Sequence, residues 1–412
     1  MKKTFLVCLV LIIIVGLGFF IYGVFSVRNQ AGDALTRSDQ KEIVIGYNAD
    51  LSGGGTGSFG VSGKEGFEVA IDEINQQGGI LGKKIRPVIL DDEGDKEISK
   101  KNIEQLVFQE KALAIIGPAN SGNALYWLDI PEDQEVTVVS PIATATEITE
   151  RYQDRARNYI FRISPLDIDQ IRVLVSFGLK KTKNGRIGII HDTTGYGNNG
   201  AKDTTEVLAR WGKTPAFIGS FERGASQETL QKLLVSARAA GVQGIVLYAL
   251  ADSNGDILRA LQGVPDFHPL LLGSWSNLSP DLWNRAGDLA SDLIFAAPVT
   301  QSSNEQTKVL HQKIIERSGE VKVPVFAAAA QAYDAVNLIA AAITNAHTFD
   351  KKSVRDALEE IGTLPGVVKT YTQPFSKEDH EGLTLEDISL AHWKDHQVVP
   401  YLSPKTIGLE FR

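Results

Sequence analysis

Two strand-to-helix loops dominate this sequence: IIGPANSG at residues 115–122 and VVSPIATATE at residues 138–147. In each, a short apolar strand ends in small and hydroxyl-bearing residues that lead into a predicted helix. Hydroxyl groups and unpaired N–H groups at the helix N-termini would then point to one place beyond the strand ends. Such a place attracts a carboxylate or another small polar anion. Because no catalytic constellation accompanies the loops, the pattern predicts binding rather than chemistry.

Strands and helices alternate around these loops, from Ile43 to Glu150 and again from Gly185 to Val299. Alternation of this kind indicates parallel sheets with helices on both faces. The predicted strands are Ile43–Ala49, Ile85–Leu90, Leu113–Gly117, Thr137–Ser140, Arg186–His191, Pro215–Phe221, Gly244–Leu250 and Pro269–Gly273. A C-terminal hairpin pairs Ile388–Trp393 with Gln397–Leu402. We therefore expect an α/β protein with two similarly built, doubly wound parallel-sheet lobes.

Composition limits the class of partner. The 412 residues are 43% apolar and 22% charged, which is ordinary for a globular protein. The formal charge of −8, without a Lys/Arg cluster, argues against nucleic acid as a partner.

The N-terminal segment predicts export. An uncharged run, Phe5–Val27, would reach roughly 34 Å as a helix, enough for a bilayer core of about 30 Å. We favour an uncleaved membrane anchor with Met1 in the cytoplasm, and the competing interpretation is a signal peptide cleaved after Ser26. Residues 28–41 then form a linker. In both cases the body is extracytoplasmic.

The sequence contains few of the residue patterns that are typical of enzymes or metal sites. The one cysteine, Cys8, lies in the apolar run, so the body has no thiol and no disulfide. No G-x-S-x-G motif or acid–base pair is present. His392 and His396 lie across the predicted hairpin rather than on one helical face, which does not suit a zinc site. We expect no enzyme, no metal and no cofactor.

A glycine-rich stretch, GGGTGSFG at residues 53–60, partly fits a dinucleotide-binding pattern through Gly55, Gly57 and Gly60. The acidic residue Asp91 follows 31 residues later, where about 20 is expected. An NAD-dependent enzyme is therefore the less favoured alternative. The preferred interpretation is a flexible loop that borders a cleft, with Phe59 at its tip.

The nearly continuous apolar stretch 326–343 is open to two interpretations, a second membrane span or a buried helix. Gln331, Asp334 and Asn337 recur every three residues and give one polar stripe. Because a span disfavours an ionisable group, we expect a core helix.

Several spaced motifs occur in order: Ile74-Asn75 with Gly78-Gly79-Ile80-Leu81-Gly82, Asp91-Asp92, Ile116-Gly117-Pro118, Ser140-Pro141, Ala143-Thr144, and His191-Asp192 with Tyr196-Gly197. On these motifs the chain resembles the extracytoplasmic solute-binding proteins of branched-chain-amino-acid-type ABC importers, over about residues 42–402. The resemblance implies a type I periplasmic-binding-protein fold, two lobes joined by three crossovers that close on a ligand, and an ABC permease as partner. Lobe 1 would comprise 42–162 with 299–376, lobe 2 would comprise 163–298 with 377–402, and 403–412 would be a tail.

The resemblance also implies the ligand site. The ligand carboxylate would meet Ser121, the backbone of Ile142 and Thr144, an aromatic ring at Tyr196 would cover the ligand, and Phe59 stands where relatives often place Tyr. The full set of predicted ligand-binding residues is Phe59, Asn120, Ser121, Ile142, Ala143, Thr144, Tyr196, Leu250, Asp252 and Trp275.

Two positions depart from the family pattern. Trp275 aligns with an acidic residue that receives the ligand ammonium in many relatives, and Leu250 aligns with a second aromatic contact. Asp252 could supply the missing charge; otherwise the pocket suits an aromatic or aliphatic carboxylate. The expected function is capture of a small carboxylate-bearing solute, an amino acid or a related organic acid, for import. The alternative is a ligand-sensing subunit of a signalling system.

Overall fold

Two sheets organise the protein, and the computed structural model describes residues 41–53, 55–300, 303–319 and 323–403. The strands of the first sheet are β1 (Glu42–Ala49), β2 (Lys84–Asp91), β3 (Ala114–Ile116), β4 (Thr137–Ser140) and β5 (Ile160–Arg162). Their order is β2-β1-β3-β4-β5 and every pair is parallel. β3, β4 and β5 are buried along their whole length, as expected for a parallel sheet covered on both faces. This sheet and the elements packed on it form the first lobe.

The second sheet forms the second lobe. The remaining strands are β6 (Ile187–Asp192), β7 (Phe217–Phe221), β8 (Gly244–Tyr248), β9 (Leu270–Gly273), β10 (Leu293–Ala297), β11 (Thr363–Pro365), β12 (Thr370–Thr372), β13 (Ser389–Lys394) and β14 (Gln397–Leu402). The sheet has the order β14-β13-β10-β9-β8-β6-β7, parallel from β10 to β7 and antiparallel at β13 and β14. β11 and β12 pair separately as a small antiparallel hairpin.

The C-terminal hairpin turns through two residues. Asp395 and His396 both have positive φ, 49° and 63°, which is the backbone shape that suits a two-residue hairpin connection. The predicted pairing of Ile388–Trp393 with Gln397–Leu402 is confirmed to within one residue.

Thirteen α-helices occupy the described ranges. They are α1 (Gly57–Gln76), α2 (Lys96–Glu104), α3 (Ser121–Trp127), α4 (Asp129–Asp133), α5 (Glu147–Glu150), α6 (Asp167–Lys181), α7 (Gly195–Arg210), α8 (Gln227–Ala239), α9 (Ala251–Leu261), α10 (Asp281–Ala286), α11 (Glu305–Ser318), α12 (Phe326–Ala346) and α13 (Lys351–Glu359).

Helix α12 is the central helix of the first lobe. It is long and apolar enough to span a membrane, but 78% of its most apolar window is buried inside the protein. It packs closely on α1: a Cβ at Gly66 would lie 1.9 Å from the carbonyl oxygen of Ala329, so only glycine fits there. The helix belongs to the core, as its polar stripe predicts.

Asp334 in that stripe holds the β11–β12 hairpin. Its carboxylate accepts hydrogen bonds from the amides of Val367 and Val368, at 2.8 and 2.9 Å, and from the hydroxyl of Tyr371 at 3.1 Å. Burial raises the pKa of Asp334 to about 7, although these three donors oppose the shift.

The chain passes between the sheets three times: after Arg162, after Ala297 and before Ser389. This confirms the expected α/β architecture of two doubly wound lobes joined by three crossovers. The residue limits assigned to each lobe stay predictions. The predicted membrane helix at Phe5–Val27 lies outside the described residues.

A buried ion pair joins two of these passages. The guanidinium of Arg162, fully buried, donates to both carboxylate oxygens of Glu381 at 2.7 and 2.6 Å. It also donates to the hydroxyl of Thr149 and to the carbonyl of Ala145, at 2.6 and 2.7 Å. We call Arg162, Glu381, Thr149 and Ala145 the hinge cluster. Its hydrogen bonds connect the loop after β4 to the first and third chain segments that cross between the sheets.

Candidate ligand-binding site

A cleft lies between the lobes, beyond the carboxyl ends of the strands, where open parallel sheets usually bind ligands. The residues that line it are Thr56, Phe59, Ala119, Asn120, Ser121, Ile142, Ala143 and Thr144 from the first lobe, and Tyr196, Leu250, Trp275 and Ser276 from the second. With the two lobes this close, the cavity that these residues enclose has a volume of only about 20 Å³, about the space of one water molecule.

Ser121 joins the two loops of the first lobe. Its hydroxyl oxygen accepts hydrogen bonds from the backbone amides of Thr144 and Ala145, at 3.3 and 3.2 Å. Asn120, not Ser121, caps α3, because its side-chain oxygen accepts from two amides in the first turn. Ser121 is therefore not the capping residue of this helix. With its oxygen engaged by two amides, the Ser121 hydroxyl can donate its proton to a ligand.

Hydrogen bonds fix the backbone of the second loop, which follows β4. The carbonyl of Ala143 accepts from the hydroxyls of Ser140 and Ser164, at 3.1 and 2.8 Å, and its amide donates to the carbonyl of Pro118 at 3.2 Å. These bonds fix the loop backbone, so that Ile142 and Thr144 face the cleft in one conformation.

Asp167, the first residue of α6, lies directly beneath Thr144. Its amide donates to the carbonyl of Thr144 at 3.0 Å, and its Oδ1 accepts from the side chain of Gln170 at 3.2 Å. Its Oδ2 is buried and makes no hydrogen bond to any residue in the described ranges. An acidic side chain with an unsatisfied oxygen thus lies under the predicted carboxylate site.

Burial raises the pKa of Asp167 to about 7. The nearby hydroxyls of Thr144 and Tyr248 lower it, the anionic Asp203 raises it, and the cationic Arg162 lowers it. Desolvation exceeds the other effects because water cannot reach the carboxyl group. Near neutral pH the group changes between the neutral and anionic forms.

Aromatic side chains close the cleft from both lobes. The rings of Phe59 and Trp275 meet edge to face across the cleft, with centroids 4.8 Å apart. The hydroxyl of Tyr196 donates to Ser274 Oγ at 2.6 Å, and burial raises its pKa. The Trp275 amide donates to the side chain of Gln170 at 2.9 Å. The second lobe therefore presents two rigidly held rings to the ligand.

Phe59 occupies a different element from the one expected. The sequence places it at the tip of a flexible loop, but α1 begins at Gly57, so Phe59 lies in the first helical turn and is buried. The placement as a loop tip is therefore wrong, whereas its position at the edge of a cleft is observed.

Asp252 does not line the cleft. Its carboxylate forms an ion pair with Arg223 at 2.8 Å. The twelve lining residues all have uncharged side chains, so within the described chain the cleft wall offers no direct counter-charge for a ligand ammonium.

Metal ligation has no support in the ranges that the structure describes, since no cluster of three or more His, Cys, Asp or Glu side chains is found there. The histidines of the C-terminal hairpin make ring contacts instead: His392 with Tyr401 and His396 with Trp283, at 5.5 and 4.5 Å between centroids.

Comparison with known proteins agrees with this geometry. The sequence profile described as "Periplasmic binding protein" matches residues 42–397. The chain belongs to this family. As a periplasmic binding protein it shares its two-lobe fold with a type 1 periplasmic binding protein from Bordetella pertussis, at a TM-score of 0.78 and 24% identity, covering 88% of this chain and all of that one.

Two further relatives are named for the amino acids that they bind. The "Leu/Ile/Val-binding protein homolog 3" of Brucella melitensis is 25% identical over 87% of this chain and 93% of its own length. The branched-chain amino acid transporter substrate-binding protein LivJ of Streptococcus pneumoniae, solved in complex with isoleucine, superposes with a TM-score of 0.71 at 22% identity, over 87% of this chain and 97% of that one. The relatives are solute-binding proteins rather than enzymes, and their family supports an extracytoplasmic location. Anchoring by the N-terminal helix stays a prediction.

Four residues at the site of this periplasmic binding protein are not among the predicted ones. Thr56 lies in the glycine-rich stretch, Ala119 directly precedes Asn120 and Ser276 directly follows Trp275, so these three stand beside predicted positions. Asp167 carries a weaker signal, an acidic residue at the start of a helix two residues after Pro165. Its position beneath Thr144 depends on the first crossover, which local sequence does not reveal.

Proposed function

We propose that this protein is the receptor of an ABC importer and that it captures a small carboxylate-bearing solute with an aliphatic or aromatic body. The observation that carries the proposal is the hydrogen-bonded junction of Ser121 with the loop at Thr144. Hydroxyl and amide groups converge there on one side of a cleft whose other side is aromatic. The relatives named for leucine, isoleucine and valine support a ligand of this size.

Charge distinguishes the ligands that fit this cleft. A carboxylate can accept a hydrogen bond from Ser121, and hydrogen bonds to charged groups contribute about 1.5–3 kcal/mol each. An ammonium group would be buried against an uncharged wall, and burying an unpaired charge costs several kcal/mol. A carboxylate without an ammonium group is therefore preferred over an amino acid.

Closure of the lobes is the proposed mechanism. Phe59 and Trp275 approach each other only when the lobes are shut, and the start of α3 touches the start of α7, since a Cβ at Gly195 would lie 3.1 Å from Gly122 Cα. A ligand that contacts both lobes stabilises the closed population. The permease would then recognise the closed receptor.

Three ligands of one shape test the proposal by isothermal titration calorimetry: L-leucine, 4-methylpentanoate, which lacks the ammonium, and L-leucinamide, which lacks the carboxylate. We expect 4-methylpentanoate to bind at least as tightly as L-leucine, and L-leucinamide not to bind. Equal binding of L-leucinamide would remove the carboxylate from the mechanism. Failure of a wider library of small carboxylates to bind would refute the receptor function.

A further inference from the structure

We infer that Arg223 is a latch that lies across the mouth of the closed cleft and sets the rate at which ligand leaves. This inference rests on the proposed function, because a release rate has meaning only for a receptor that closes on a ligand. Arg223 follows β7 in the second lobe, whereas the backbone that it covers belongs to Gly55, before α1 in the first lobe.

The contact between the lobes is close. A Cβ on Gly55 would lie 2.2 Å from Nη2 of Arg223 and 2.5 Å from its Cζ and Nη1. The guanidinium therefore lies directly against the main chain of Gly55. Gly55 has a φ of +110°, a conformation that other residues rarely adopt. The backbone shape at this position thus favours glycine, whereas the space does not require it, because the guanidinium is the far end of a flexible side chain.

Asp252 holds the latch in place. Its Oδ2 pairs with Nη2 of Arg223 at 2.8 Å, while its Oδ1 accepts from the amide of Ser253 at 2.8 Å. The backbone bond fixes the carboxylate at the start of α9, and the carboxylate in turn orients the guanidinium towards Gly55. Asp252 is thereby a positioning residue that acts through Arg223, rather than a ligand contact.

The residues beneath the latch are hydrogen-bonded to Asp50 and connected to the cleft. Asp50 accepts hydrogen bonds from the amides of Gly53 and Thr56, at 2.9 and 3.0 Å, and from the hydroxyl of Thr56 at 3.1 Å. Thr56 itself lines the cleft. An arginine held against this loop therefore resists its separation from the second lobe, which is the movement that opens the cleft.

The position of the pair explains why it should act on release rather than on capture. The side chains of Arg223 and Asp252 are 36% and 27% exposed, so the pair is partly open to solvent. In an open protein Arg223 keeps its partner Asp252, which lies in the same lobe, and loses its contact with Gly55. The contact is made after closure and has to be broken before opening, so it lowers the dissociation rate constant more than it alters the association rate constant.

Stopped-flow tryptophan fluorescence with 4-methylpentanoate, or with L-leucine if only that binds, tests the latch. Trp275 in the cleft provides the signal. We expect Arg223→Ala to raise the dissociation rate constant about fivefold, the size expected for a partly exposed polar contact, with little change in association. Asp252→Asn should give a smaller increase in the same direction.

A matched control lies one helical turn away. Asp256, also on α9, pairs with Arg285 at 3.4 Å within the second lobe, so Arg285→Ala should leave the dissociation rate constant unchanged. An unchanged rate in Arg223→Ala, or an equal increase in Arg285→Ala, would overturn the latch.

Hydrogen–deuterium exchange on the ligand-free protein separates this inference from the proposed function. The Arg223–Gly55 contact is made by the protein alone, so Arg223→Ala should lower the closed population of the ligand-free protein and speed amide exchange in residues 53–60, and Arg285→Ala should not. If wild-type protein binds no small carboxylate, the receptor proposal fails, whereas the exchange comparison still decides the latch. Equal exchange in wild-type protein and Arg223→Ala would refute it.

Discussion

Carboxylate binding in this cleft should weaken as the pH rises through about 7, because Asp167 lies beneath the site. Burial raises the pKa of Asp167 to about 7, so the group is mostly neutral at pH 6 and mostly anionic at pH 8. A carboxyl group with a raised pKa is stabilised in its protonated form. A ligand carboxylate above Thr144 favours that form further, because two nearby negative charges repel each other in a site that excludes water.

The magnitude follows from the fraction of neutral Asp167. If only the neutral form binds ligand, the apparent Kd equals the intrinsic Kd divided by that fraction. For a pKa of about 7, the apparent Kd is raised about 2-fold at pH 7, about 11-fold at pH 8 and about 100-fold at pH 9. At about pH 6 and below, nearly all Asp167 is neutral, so the apparent Kd is almost constant there.

Isothermal titration calorimetry with 4-methylpentanoate between pH 6 and pH 9 measures this profile. Asp167→Asn, neutral at every pH, should remove the dependence. Asp334→Asn is the matched control, because Asp334 is also buried with a pKa raised to about 7 but packs against the β11–β12 hairpin. It should leave the profile intact. A constant wild-type Kd would refute the reasoning, and tighter binding at high pH would show that anionic Asp167 attracts a ligand ammonium.

Three further substitutions give expected outcomes of known direction. Ser121→Ala should weaken 4-methylpentanoate binding by about 1–3 kcal/mol, since it removes a donor to the ligand and leaves two buried amides unpaired. The comparison by calorimetry is Ser99→Ala, which removes a buried hydroxyl that bonds Asn48 and Trp127 away from the cleft wall; equal affinities for Ser121→Ala and wild type would contradict the site. Trp275→Glu should shift preference from 4-methylpentanoate towards L-leucine, and an unchanged ratio of the two Kd values would show that this position does not face the ligand's second substituent. Glu381→Ala should lower the free energy of unfolding by about 3–5 kcal/mol in urea titrations, because it leaves the buried guanidinium of the hinge cluster unpaired. As a control, Glu206→Ala removes the carboxylate of an exposed ion pair with Arg210 on α7 and should cost less than about 1 kcal/mol; similar losses in both would argue against a special role for the cluster.

The sequence predicts those elements of the fold whose signals are local. The buried apolar run Thr137–Ser140 matches β4 residue for residue, and alternation across the chain is enough to predict two parallel-sheet lobes. β5 and β10 are absent from the predicted strands. β5 has three residues, Ile160–Arg162, too few for a periodic pattern. β10, Leu293–Ala297, is a short, fully buried apolar run, which periodicity alone does not distinguish from a segment of a buried helix.

The binding site, like the fold, has residues that the local sequence predicts and residues that it does not. Ser121 and Thr144 are predictable because each follows a strand directly, and parallel strands end at one edge of their sheet. Asp252 shows what the sequence does not predict. In the sequence it is an acidic residue near the predicted contact Leu250, but in the structure its carboxylate forms an ion pair with Arg223. Which partner neutralises a charge depends on residues that are distant in the chain, and local spacing does not contain that information.

Helix α12 has a consequence for the route by which the protein reaches its location. Its 21 residues are apolar enough to halt in a lipid bilayer if the chain is threaded across before it folds. Asp334, near the middle of the segment, opposes that arrest by about 2.5–3.5 kcal/mol on insertion scales. The same carboxylate that anchors a hairpin in the folded protein thus helps the nascent segment to pass through the translocation channel.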